Sequence, residues 1–214
     1  MIATLAAIAL VAAPAAAGAD HERVELTPAG QATARAPGLT RADLPKESGW
    51  TGGPKKPDLA STLSCKSYSP KQSDLVLIGA SDALFKHAGL RLESQVNVLA
   101  TARMVQLDWQ RTVVSPLALE CLRAALEKTG SAKERFVSFT ALEVPRMAPL
   151  TAGWRVVYDI KGPSAVARVM SDIILFGRAR TELSLTTTAL LASAPVVSQL
   201  ELRLAARLAA RIRG

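Results

Sequence analysis

The chain has 214 residues, with 26 Lys and Arg against 18 Asp and Glu, a formal charge of +8, and aromatic residues at only 4%. Such a balance suits anionic surroundings such as lipid headgroups, wall polymers or nucleic acid, while the scarcity of aromatic faces argues against single-strand or carbohydrate platforms. The length is enough for one domain to bury a core without a metal or an oligomer.

Residues 2–17 are almost wholly Ala, Ile, Leu and Val. This run is short for a bilayer span and ends in the small-x-small patterns Ala15-Ala16-Ala17 and Ala17-Gly18-Ala19, so 1–19 reads as a secretory signal peptide. Its removal leaves a mature chain of about 195 residues. No Lys or Arg precedes the run, and the alternative is a buried or membrane-anchoring helix. Export makes nucleic acid the least fitting of the anionic partners, so no nucleic acid is expected.

Residues 20–57 are polar and punctuated by Pro and Gly, which predicts a flexible lead-in with one short helical turn over 40–44, capped by Thr40 and stopped by Pro45. A short buried strand follows at 75–78. The stretch 81–87 reads equally as a turn or an edge strand, and 91–99 as a strand with Leu92, Ser94, Val96 and Val98 on one side. Helical spacing returns through Ala102, Val105 and Trp109. The clearest helix begins at Ser115, the cap, with Pro116 in the first helical position and Gly130 after the last turn. Its stripe is Leu119, Leu122 and Leu126, with Cys121 on the inner side.

A strand over 136–144 leads to a three-strand meander at 154–160, 166–176 and 179–188. The breaks are Lys161-Gly162-Pro163 and a Gly177-Arg178 hairpin turn. In the last strand Thr181, Leu183, Leu185 and Thr187 face one way and Arg180, Glu182, Ser184 and Thr186 the other, the pattern of a sheet with one wet face. Pro195 opens a terminal helix over 196–213. The fold expected is α+β: an antiparallel sheet of about five or six strands with packed helices, forming one domain over 58–214.

Cys65 and Cys121 are the only cysteines. In an exported chain an even count predicts one structural disulfide. The spacing is not that of a redox pair, and two thiols with the distant His21 and His87 make no metal site. The segment Ile78-Gly79-Ala80-Ser81-Asp82-Ala83 resembles a relaxed nucleophile elbow. A hydrolase of that type needs a separately positioned later histidine, yet the only one is His87, and Asp82 abuts Ser81. Acid–base chemistry has four nominees, Asp108, Asp159, Asp172 and Glu182. Of these, Asp159 and Asp172 are expected on a solvent face beside Arg155, Arg168 or Arg180. No phosphate loop or dinucleotide fingerprint is present. No catalytic residue, metal or cofactor is therefore expected.

In the terminal helix Leu200, Leu204, Leu208 and Ile212 recur beside Arg203, Arg207 and Arg211. Such a helix packs on a sheet or lies on anionic lipid. Core packing is the expectation, with the arginines offering diffuse anionic-surface contact and at most weak peripheral membrane association.

The Asp43-Leu44-Pro45 and Gly49-Trp50 lead-in, Cys65, the Ser94-Gln95-Val96 strand, Cys121 in a helix, and the meander with its closing helix resemble secreted actinobacterial proteins. These include lipoproteins and the extracytoplasmic sensor domains of membrane Ser/Thr kinases. The resemblance implies a PsbP-like α/β sandwich with paired cysteines, and a non-catalytic binding or sensor module whose partner is a small molecule or an envelope component. The alternatives are a secreted hydrolase-type enzyme and a surface-association protein on anionic envelope material.

Overall fold

Alternating apolar and polar residues carry the chain into one mixed sheet of eight strands, seen in a computed structural model that describes residues 20–46, 49–59, 63–128 and 133–212. The signal-peptide reading of 1–19, Gly130 and Arg213 lie outside these residues. The strands are β1 (Arg23–Val24), β2 (Thr51–Lys55), β3 (Val76–His87), β4 (Leu90–Leu99), β5 (Glu134–Ala141), β6 (Leu150–Lys161), β7 (Val166–Arg178) and β8 (Thr181–Leu190). The helices are α1 (Pro28–Arg35), α2 (Ala102–Asp108), α3 (Pro116–Lys128) and α4 (Ala194–Arg211). The sheet order is β1-β3-β4-β8-β7-β6-β5, with β2 also pairing β3.

The α+β class is as expected, but the sheet is larger than five or six strands and not purely antiparallel. The lead-in is the reason. Its Pro and Gly residues do not keep it extended: β1 pairs β3 in parallel at Val76 and Leu77, and β2 pairs it antiparallel from Asp82 to Lys86. Between them α1 starts at the cap Thr27, whose hydroxyl accepts from the Gly30 N–H at 3.0 Å. The turn expected after Thr40 is present as a short 3-10 helix, Arg41–Asp43.

Gly79 does not end β3. A bulge between Leu77 and Gly79 leaves the Ile78 carbonyl free of the ladder, where it accepts from the Thr27 N–H at 2.9 Å. Here α1 lies directly on the strand: a Cβ on Gly30 would strike the Ile78 carbonyl, and one on Gly79 the Gly30 carbonyl. The β7–β8 turn is Ala179-Arg180, not Gly177-Arg178, with Ala179 at φ +50°. Gly177 is still paired with Glu182, and its missing side chain leaves room for Leu150 of β6.

One sheet face carries the main core. Phe85, Leu92, Val96, Ile174, Phe176, Leu183 and Leu185 pack against Leu204 and Leu208 of α4, Ile212 just after it, and Ala34, Leu39 and Leu44 of the lead-in. Each fully buried aliphatic side chain there contributes roughly 1.5–3 kcal/mol, so α4 is docked by its leucine stripe as its period predicts. The opposite face is covered by α2, α3 and the segment before β3. On α3 only Ala118 and Cys121 are buried, and Leu119, Leu122 and Leu126 are half-covered, a shallower contact than the stripe predicts.

The Cys65–Cys121 disulfide is formed across 56 residues, with the Cα atoms 6.0 Å apart. It ties α3 to the loop bearing Tyr68. On the loop-entropy view such a crosslink is worth about 4 kcal/mol, and measured bridges usually give about 2–4. Reduction should lower the urea midpoint accordingly; an unchanged midpoint with both thiols free would contradict a stabilising role.

Candidate polar cleft beneath the second helix

On the face opposite the main core, β4 presents Glu93, Gln95 and Asn97, and β8 presents Glu182, Ser184 and Thr186, paired across the two strands in register. This is the face expected to be wet, but it is partly roofed. Thr101 caps α2 by accepting from the Met104 N–H at 3.2 Å, and after Asp108 the helix widens into a π turn, Trp109–Val113, closed by the Val114 N–H to the Trp109 carbonyl at 3.1 Å. Such turns recur at functional sites because they re-aim side chains without breaking the helix. Asp108, Trp109, Thr112 and Val113 then roof a cavity of about 190 Å³ whose floor includes Gln95, Asn97, Leu175, Glu182 and Ser184.

Two carboxyl groups from different elements meet here, Glu182 from β8 and Asp108 from the end of α2, and Glu22, just before β1, is near enough to feel the Asp108 charge. Burial pushes the Glu182 carboxyl well above the ordinary range, and the charge of Asp108, a hydrogen-bonding contact with it and the charge of Glu22 add to the rise. Burial also lifts Glu22 to about 7, with Asp108 contributing. Gln72, 3% exposed, donates from Nε2 to Asp108 Oδ1 at 2.9 Å, and its Oε1 has no hydrogen-bond partner. Arg111 lies nearby but is committed to Asp74, donating at 2.7 and 3.0 Å. The Tyr68 hydroxyl donates to the Arg111 carbonyl at 2.6 Å.

Further along the same face the charges are balanced. Glu93 is bonded by Lys55 and by Arg91, and Lys55 also lies 3.6 Å from Asp82. Burial works to raise Glu93, but its bonds to Lys55 and Arg91 outweigh that and hold it below its ordinary value. Among the described residues, no Lys or Arg forms an ion pair with Glu22, Asp108 or Glu182, and no group of three or more His, Cys, Asp or Glu side chains is disposed to hold a metal ion.

The sequence nominated Asp108, Asp159, Asp172 and Glu182, and the fold brings the first and last together. Asp159 instead accepts from Arg168, its register partner, at 2.7 Å and from Arg135 at 2.5 Å; these hydrogen bonds hold its carboxyl down at about 2. Asp172 is fully buried, which corrects the solvent-face expectation. It accepts two 2.6 Å bonds from Arg155 beneath α4, whose Glu201 packs against it. Ser81 sits mid-strand on β3 with no turn to present it, and His87 lies six residues on, roughly 20 Å along the strand, stacked on Trp50 at 5.0 Å. Glu22 and Gln72 lie in irregular stretches that carry no periodic signal. The alternation of Glu93, Gln95 and Asn97 was the one signal that β4 has a polar side worth examining.

The arginines of α4 have internal work. Arg211 bonds both carboxylate oxygens of Asp43, Arg207 lies 3.6 Å from the same group, and Arg203 is exposed. Burial acts to raise Asp43, yet the Arg211 and Thr40 hydrogen bonds prevail and keep its carboxyl below the ordinary value. Among the described residues no helix is long and apolar enough to cross a membrane. In comparisons with known proteins, no protein-family model and no curated sequence matches this chain.

Proposed function

We propose that the protein is an extracytoplasmic binding or sensor-like module that holds a small polar molecule in the cleft beneath α2. The observation that carries this reading is the meeting of Asp108 and Glu182 across a cavity furnished with amide and hydroxyl side chains, with no Lys or Arg ion-paired to either among the described residues. Desolvated acids left unbalanced raise the free energy of the empty protein, and proteins keep such groups where a ligand uses them. The disulfide is compatible with an exported chain, and the sheet with helices on both faces supports the PsbP-like resemblance. The capture of Arg207 and Arg211 by Asp43 supports at most weak membrane association.

A thermal-shift screen of the full chain against small polar compounds, repeated on Ser184→Phe, tests the reading. A ligand at a hundredfold its Kd adds about 2.7 kcal/mol, a shift of roughly 5–10 °C at this chain length. The shift should vanish when Phe fills the cavity. Stabilisers that act equally on Ser184→Phe would place binding elsewhere and refute the proposal.

The Asp108–Glu182 pair favours one second reading, a hydrolase-type enzyme, because two adjacent carboxyls, one of them raised by burial, are the kind of pair acid–base catalysis uses. Recovery of a bound compound unchanged after prolonged incubation distinguishes binding from turnover.

A further inference from the structure

We infer that the cleft is selective for a small organic cation, one bearing an ammonium or guanidinium group with several N–H donors. This rests on the reading of the cleft as a binding site and adds the chemical class of its ligand.

Asp108 is served by one amide donor, Gln72 Nε2 at 2.9 Å, and Gln72 Oε1 is a buried acceptor without a partner at the same cluster. Glu182, while protonated, is itself in hydrogen-bonding contact with Asp108, so the buried acceptor left without a partner here is Gln72 Oε1; ionisation of Glu182 would add a second carboxylate beside Asp108, while Arg111, the nearest guanidinium, is turned to Asp74 and the Lys71 carbonyl. A group that answers several acceptors at once must carry several donors, and beside carboxylates it gains most if it is positively charged. An anion is disfavoured by the same carboxyls. A bare metal ion is disfavoured because the described acids do not converge as ligands do. Trp109 brings an aromatic side chain to the roof of the same cavity. On the same sheet face Lys55 and Arg91 pair with Glu93, whereas among the described residues no Lys or Arg is ion-paired to Glu182.

Proton linkage gives the site a signature. Burial holds Glu182 and Glu22 protonated above the ordinary carboxylate range, with Asp108 contributing to both. Asp108 also acts on Tyr68 and Arg111, and Arg111 on Asp20. A bound cation favours the ionised acids, so binding must release protons and tighten as pH rises toward neutrality.

The test is calorimetric titration of the full chain with agmatine and putrescine, alongside the neutral 1,4-butanediol and the anionic succinate. Titrations in two buffers of different ionisation enthalpy count the protons released. Agmatine or putrescine should bind with proton release, with affinity rising about tenfold between roughly pH 5.5 and 7.5. Glu182→Gln and Asp108→Asn, which keep side-chain shape, should each weaken binding at least tenfold while circular dichroism confirms folding. Binding of the cations without proton release, or unaffected by both variants, would overturn the inference. If butanediol or succinate binds instead and Ser184→Phe abolishes that, the cation class falls and the cleft reading survives. If none of the four binds, the cation inference falls, and the wider thermal-shift screen decides the cleft reading.

Discussion

Arg155→Ala should destabilise the protein by about 3–5 kcal/mol, because truncating one member of a buried ion pair leaves the other charge uncompensated. Asp172 is fully buried and receives two 2.6 Å bonds from Arg155, whose side chain is itself only 24% exposed. Without them Asp172 faces Glu201 alone. Chemical denaturation measures the loss, and a change under about 1 kcal/mol would mean the pair behaves like a surface contact.

The companion variant, Glu201→Gln, should act in the opposite direction. Burial lifts the Glu201 carboxyl to about 8, with Asp172 adding to the rise and Thr187 and Arg155 opposing it. Glu201, 1% exposed, is therefore neutral at neutral pH and can donate to Asp172. A raised acid is favourable to folding while protonated in both states, and its burial cost grows as pH climbs from the ordinary value near 4.5 to about 8, flattening above. Gln keeps a donor and cannot ionise. The variant should match the parent near pH 4.5 and exceed it by about 2–4 kcal/mol at pH 8 and above. A constant difference across that range would remove Glu201 as the titrating group.

Gly79→Ala is the second large effect expected, at about 3 kcal/mol or more, beyond ordinary overpacking because the obstruction is backbone. The new Cβ would collide with the Gly30 carbonyl, so α1 must lift off β3. That movement threatens the Thr27 N–H bond to the Ile78 carbonyl and uncovers Ala34, which is fully buried. Hydrogen exchange should locate the damage in residues 23–39, with the β6–β8 ladder still protected. Uniform loss of protection, or none, would contradict a local backbone contact.

The meander and the two amphipathic helices were legible because β8 alternates strictly from Thr181 to Ala189 and α4 repeats its leucines every fourth residue. What local pattern could not carry was the lead-in. Gly30 and Gly79 read as breakers, whereas their role is a backbone contact between segments about fifty residues apart. The hairpin turn was misplaced for the same reason: Gly177 makes room for Leu150, a neighbour known only once β6 and β7 are in register. Asp108 and Glu182 could be nominated as acids, but their meeting depends on the π turn that ends α2 and on a sheet floor 74 residues further on. Glu22 comes within reach of the Asp108 charge where β1 pairs beside β3, a pairing of two residues with no periodicity to announce it.

The measurement that bears most directly on the central claim is an amide and indole chemical-shift map of the full chain titrated with agmatine. The account predicts that saturable shifts cluster on Gln95, Asn97, Glu182, Ser184, Asp108 and the Trp109 indole, with Arg203 in the middle of α4 unaffected. Shifts confined to the groove between 42–46 and α4, or absent from the residues beneath the π turn, would contradict it.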